Sequence, residues 1–172
     1  MANGILKVGE ITTSSGSGNI TIGSGVTLLS NTPAFEANLS ATQTLTDSTL
    51  TKLQIDAEDF DTDGCYDNTT NYRFTPTVAG KYYVYTQATF LGSGGINDSA
   101  LYIYKNGSLY IVSLNNDSAI TTQVQFVASN IDMNGTTDYL EIYANNDVAV
   151  GSSCQIHGGN RRTIFGAYRI GA

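Results

Sequence analysis

The chain has 172 residues, the length of one domain with a short appendage. Hydrophobic residues make up 41% and charged residues only 13%, yet 11 Tyr and 6 Phe supply large apolar surface to bury, which excludes a disordered acidic chain. The net charge of −7, from 8 basic and 15 acidic side chains, argues against a sequence-independent grip on nucleic-acid phosphates, which needs clustered Lys and Arg.

The first ten residues have no basic stretch leading into a long apolar run, so no secretory signal is expected. Nor does any segment reach the roughly 18 to 20 apolar residues of a membrane-spanning helix, so no membrane insertion is expected. Residues 11–28 lack aromatic side chains and consist almost entirely of Thr, Ser, Gly, Asn and isolated aliphatics. Such a stretch can be a flexible linker. Residues 19–28, however, alternate small polar with aliphatic residues, as a strand does when one face is covered. A lone ribbon of that kind is marginal and needs a partner. Residues 1–32 are therefore expected to form an assembly arm, anchored through Ile11, Ile20, Ile22, Val26 and Leu28, with Pro33 opening a domain over 33–172.

Beyond Pro33, apolar residues alternate or fall in short β-branched and aromatic runs, and no helical period persists over three turns. Strands are expected at 34–40, 51–60, 72–75, 81–91, 100–105, 108–114, 121–131, 138–144 and 163–170. Turn chemistry separates them at Ala79-Gly80, Gly92-Ser93-Gly94-Gly95, Asn106-Gly107, Asn134-Gly135 and Gly158-Gly159-Asn160. Asn106-Gly107 is the strongest hairpin signal, because both residues tolerate positive φ. Many short strands at regular spacing imply an all-β sandwich or jelly roll.

The most suggestive chemical motif is Asp59-Phe60-Asp61-Thr62-Asp63-Gly64, which opens like an EF-hand loop. The twelfth place, where a bidentate Glu belongs, is Thr70, and no helices flank it, so that reading fails. Asp56, Glu58, Asp59, Asp61, Asp63 and Asp67 still crowd carboxylates into a short span. The alternatives are a looser calcium site on Asp59, Asp61 and Asp63, or a solvated acidic edge that discourages strand-to-strand aggregation. The lone His157 has no nucleophile context, and the Gly-rich stretches lack the Lys of a phosphate loop. Arg161-Arg162 could grip a carboxylate or sulfate, but are expected to neutralise acidic neighbours in an assembly. Cys65 and Cys154 match neither a disulfide framework nor a zinc pattern, and buried free thiols are expected. No catalytic group and no cofactor is expected, although an all-β carbohydrate-active enzyme using the acidic cluster is the alternative from another class.

The order of landmarks from Pro33 onward is similar to the C1q/tumour-necrosis-factor-like domain. Pro33-Ala34-Phe35-Glu36-Ala37 resembles that family's opening strand, and Tyr66-Asp67, Phe74-Thr75-Pro76 and Gly80-Lys81-Tyr82-Tyr83-Val84-Tyr85 follow in order. Lys105-Asn106-Gly107 resembles its hairpin and Phe165-Gly166 its closing strand. The Gly-Asp pair usual before the penultimate strand is replaced by 134–138, which affects one loop. The resemblance implies a ten-stranded jelly roll that associates as a homotrimer and performs no catalysis. An aromatic strand face suits such an interface, and Tyr82, Val84, Tyr102, Tyr104 and Phe165 are expected to form it.

The arm is similar to N-terminal segments of structural proteins of marine tailed phages. Together with the missing signal, this points to a virion protein whose partners are its own copies and capsid or tail proteins held by the arm. Two placements follow. In a tail fibre or adhesin, Asn- and Ser-rich loops at 93–99 and 115–119 touch a host-surface glycan or protein. In a capsid decoration protein, the arm adds strands to capsid subunits. An arm of this length reaches at most about 100 Å, short for a fibre shaft.

Overall fold

In the computed structural model, described for Ser24, residues 32–116 and residues 120–171, the chain divides into two units, Met1–Asn31 and Thr32–Ala172. The arm residues Ile11, Ile20, Ile22, Val26 and Leu28 lie outside the described residues, as do positions 117–119 of one expected contact loop. The second unit is all-β: among the described residues there is no helix.

Its strands are β1 (Ala34–Asn38), β2 (Gln43–Thr44), β3 (Thr51–Lys52), β4 (Ala57–Asp61), β5 (Tyr66–Asp67), β6 (Arg73–Phe74), β7 (Gly80–Lys105), β8 (Ser108–Asn115), β9 (Ile120–Met133), β10 (Leu140–Val148), β11 (Cys154–Ile156) and β12 (Ile164–Gly171). All pairings are antiparallel. The first half of β7 bonds β12 and β9, and β12 continues to β1 and β4. The second half of β7 bonds β10 and β8, and β10 continues to β6 and β5. The long strand β7 thus belongs to two sheets in turn, and these lie face to face around one core.

The crossing explains where the structure departs from the expected strands. The turn anticipated at Gly92–Gly95 is a bulge inside β7, marked by a register shift between Leu91 and Ile96. The chain changes sheets there without ending the strand, and glycine suits the bend. A Cβ on Gly92 would press on Val148 and Ile96. Similarly, the expected strand 51–60 is two strands. β3 pairs with β10 in one sheet and β4 with β1 in the other, and Leu53 and Ile55 drop into the core between them. Among the described residues there are twelve strand segments, and two- and three-residue pieces such as β2, β5 and β11 carry too little pattern to be read from the sequence. The Asn106-Gly107 hairpin has the expected geometry, with φ of 54° and 75°.

The sheets are held together by rings. Phe35 of β1 stacks on Phe74 of β6 and on Tyr66 of β5, each at 4.6 Å between centroids, and meets Phe165 of β12 edge-on at 4.8 Å. Phe74 meets Tyr82 of β7 at 5.5 Å. Phe35, Phe74, Tyr82 and Phe165 are fully buried. The two buried phenols keep their polarity satisfied by donating to backbone carbonyls, Tyr66 to Ile55 and Tyr82 to Val78, each at 2.7 Å. Burial pushes the Tyr82 hydroxyl up to about 12. Cys65 and Cys154 are free and buried, and desolvation raises both thiols, so neither is a reactive thiolate at neutral pH.

Removing the central ring should be costly. Phe35→Ala is expected to lower the unfolding free energy by about 3–5 kcal/mol in urea denaturation. Val150→Ser, at a fully exposed position, should change it by less than about 0.5 kcal/mol.

Candidate functional site

Strand alternation sends every second residue of the sheet β4-β1-β12-β7-β9 away from the core. On β7 the inward set is Tyr82, Val84, Thr86 and Ala88, all buried, and the outward set is Lys81, Tyr83, Tyr85 and Gln87. On β12, Phe165 and Ala167 point in, while Ile164, Tyr168 and Ile170 point out. On β9, Val127 and Ile131 are buried, whereas Val124 and Phe126 are 58% and 54% exposed.

This corrects the expected interface. Tyr82, Val84 and Phe165 belong to the protomer's own core and can touch no second copy while the sandwich is closed. Tyr102 and Tyr104 lie elsewhere, on the outer face of the other sheet beside Tyr143, with Tyr104 and Tyr143 at 4.6 Å. The structure does not bring the five residues together. A shift of one residue along each strand gives the set that does share a face: Tyr83 contacts Tyr168 at 5.4 Å and Tyr85 at 5.9 Å. Phe60 of β4 lies opposite Glu36, and Phe126 of β9 opposite Gln87, on that same side. Phe60, Val124, Phe126, Tyr168 and Ile170 are all exposed there, while the other exposed large apolar residues lie on β8 or in loops.

A charged cluster borders the aromatic rows. The Tyr85 hydroxyl donates to the Glu36 carboxylate, which also pairs with Arg161. Arg161 reaches Asp59 at 2.5 Å as well, so the acidic neighbours it neutralises here belong to its own protomer. The Tyr85 ring covers Gly166, where any Cβ would collide with it. A glycine there lets the phenol lie flat across β12 and reach Glu36.

The carboxylates between Asp56 and Asp67 do not converge. Asp59 accepts from Asn38 and pairs with Arg161. Asp61 accepts from the backbone N–H groups of Asp63 and Tyr66 at 3.2 and 2.7 Å, pinning the turn after β4. Asp56 accepts from Ser40, and Asp67 holds the loop that follows β5. Among the described residues no group of three metal-ligating side chains is assembled, so Asp59, Asp61 and Asp63 do not form the looser calcium site. Asp56, Asp61 and Asp67 each staple a different piece of backbone, a role that spacing along the chain does not reveal. His157 packs against Arg162 beside the turn before β12.

No family model matches this chain, and no curated protein matches it. Among solved structures, the globular domain of zebrafish complement 1qA superposes with a TM-score of 0.61 at 17% identity, covering 81% of this chain and 98% of that one. Murine APRIL superposes at 0.62 with 8% identity, covering 81% and 100%, and Eiger TNF of S. frugiperda at 0.56 with 11% identity, covering 81% and 91%. At these identities the likeness establishes the fold, a C1q/TNF-like jelly roll.

Acid should loosen the loops that the carboxylates staple. The N–H groups of Thr70 and Thr69, with the Asn71 side chain and backbone, hold the Asp67 carboxyl well below its ordinary 3.8. The Lys105 ammonium and the Asn106 amide lower Asp138 in the same direction. A depressed folded value means that the stabilisation is complete above the unfolded value, declines as pH falls below it, and is lost once pH has fallen through the folded value. Urea midpoints should therefore drop as pH is lowered below about 4. Asp67→Asn should flatten part of that slope, with the Asp138 contribution left. A chelator should leave the melting transition unchanged.

Proposed function

We propose that the chain is a non-enzymatic structural protein of a phage virion. Three copies of the jelly-roll domain associate through the outer face carrying Tyr83, Tyr168 and Phe126. The resulting head is displayed on the particle while residues 1–32 anchor it. The observation that supports self-association most directly is the aromatic and aliphatic face itself. Tyr168 is 45% exposed, Phe126 54% and Val124 58%, all on the same face of one sheet. Exposed apolar surface of that kind on a soluble domain marks a contact site. Tyrosines supply large contact area at low conformational-entropy cost, and cyclic closure of identical copies buries the same patch on each.

The absence of catalysis in this reading rests on how the acids are used. An acid–base pair needs two carboxylates in different environments facing one space. Here Asp56, Asp59, Asp61 and Asp67 are each committed to a separate backbone or side-chain donor. We place the head at a tail fibre or adhesin, where it meets the host surface. A second reading is a capsid decoration protein, in which residues 1–32 add strands to capsid subunits.

Sedimentation velocity tests the association. The natural chain should run as a trimer, and the double variant Tyr168→Glu with Phe126→Glu should run as a folded monomer, because burying two carboxylates in an apolar contact is prohibitive. Tyr102→Glu, on the opposite sheet, should remain trimeric. A monomeric natural chain would remove the basis of the reading. Copy number in purified particles, by quantitative mass spectrometry, separates the placements: a few tens of copies fit the tail, and hundreds fit decoration.

A further inference from the structure

A cavity of about 180 Å³ opens on the surface away from the aromatic face. Its walls are Leu39 and Ala41 on one side, Gln43 and Gln54 on another, and Asp56 and Tyr72 on the third. Two of these side chains are fixed by internal bonds. Gln43 donates to the Lys52 carbonyl at 2.9 Å and accepts from the Gln54 N–H at 2.9 Å, so its amide is held in place and ties β2 to the segment after β3. Asp56 accepts from the Ser40 N–H at 2.8 Å and from the Ser40 hydroxyl at 2.6 Å, one bond on each oxygen. That orients the carboxylate and leaves each oxygen a further lone pair.

The remaining walls hold polar groups that are open to solvent. Among the described residues, neither the Gln54 side-chain amide nor the Tyr72 hydroxyl has a partner. Tyr72 also sits at φ 49°, a left-handed conformation that is an outlier for a bulky residue. The loop before it enforces this. Asp67 gathers the N–H groups of Thr69, Thr70 and Asn71 at 3.1, 2.9 and 3.1 Å, and the chain leaves that knot with Tyr72 turned to the cavity wall. Strain of this kind persists only where the surroundings over-determine it, and it concentrates at binding sites.

The chemistry of the walls selects the ligand class. A single carboxylate already engaged twice is a poor cation cage, which takes several oxygens. The same carboxylate repels anions, and the polar walls disfavour a purely apolar guest. An oriented carboxylate that accepts from two neighbouring hydroxyls, a free amide that both donates and accepts, and one aromatic face match a single neutral sugar ring. We propose that this cavity binds one residue of a neutral glycan, with Asp56 accepting from vicinal hydroxyls, Gln54 reading a third, and the Tyr72 ring covering the apolar face of the pyranose. This names a ligand for the displayed head and so rests on the recognition reading above, at a site separate from the self-association face.

Saturation-transfer NMR on the full chain, with a panel of methyl glycosides of glucose, galactose, mannose, N-acetylglucosamine and fucose, tests it. At least one should bind, and Gln54→Ala and Tyr72→Gly should each weaken that sugar at least about tenfold. Tyr72→Gly deletes the ring while favouring the same backbone conformation, so it should keep or raise the melting temperature. Gln54→Ala is a second, exposed change that does not rely on that loop. Failure of every glycoside to bind the natural chain would overturn the proposal, as would binding that both variants leave unchanged. The failures are separable. A virion protein that binds no sugar removes only the cavity's role, and a sugar binder missing from purified particles removes only the virion placement.

Discussion

Everything in this domain depends on Phe35. Its ring lies between Phe74 and Tyr66 of one sheet and the edge of Phe165 in its own, with Tyr82 closing the cluster behind Phe74. The chain also passes between the sheets within β7, between β3 and β4 and in several loops, but such connections do not by themselves press two faces together. Burial of these rings is therefore what turns two pleated surfaces into one closed sandwich. Once it is closed, the direction of every other side chain follows from parity along its strand.

That parity connects the core to the contact surface. Because Tyr82 and Phe165 point inward, their neighbours Tyr83 and Tyr168 must point outward, and the antiparallel register sets them side by side at 5.4 Å. The same closure leaves loops to be held by polar contacts, and Asp56, Asp61 and Asp67 serve that purpose. One of these stapled loops also shapes the cavity beside Tyr72. The low charge content thus goes with a molecule in which Asp56, Asp61 and Asp67 hold backbone and tyrosines cover the outer face of one sheet.

Much of this was legible in the sequence. The all-β class, the hairpin at Asn106-Gly107 and the strand positions on either side of it follow from alternation and turn chemistry. The jelly-roll fold followed from the order of landmarks from Pro33 to Phe165. Which tyrosines face out was not legible, because Lys81-Tyr82-Tyr83-Val84-Tyr85 is apolar at both parities and a one-residue slip reverses every side chain. The fate of the acids was hidden for a different reason. Asp59 finds Arg161 and Asp56 finds Ser40 across the fold, and spacing within the cluster contains neither partner. Gly92–Gly95 had the composition of a turn, yet a bulge that carries one strand between two sheets uses the same residues.

The central claim is that the outer face of the β4-β1-β12-β7-β9 sheet is covered by other copies of the chain. Hydroxyl-radical footprinting of the natural protein reads that directly, because Tyr168, Phe126 and Leu50 are similarly exposed in the single protomer, at 45%, 54% and 42%. Strong protection of Tyr168 and Phe126, with Leu50 oxidised at the rate its exposure implies, is the expected result. Oxidation of Tyr168 and Phe126 at the rates of free, solvent-exposed rings would contradict the account.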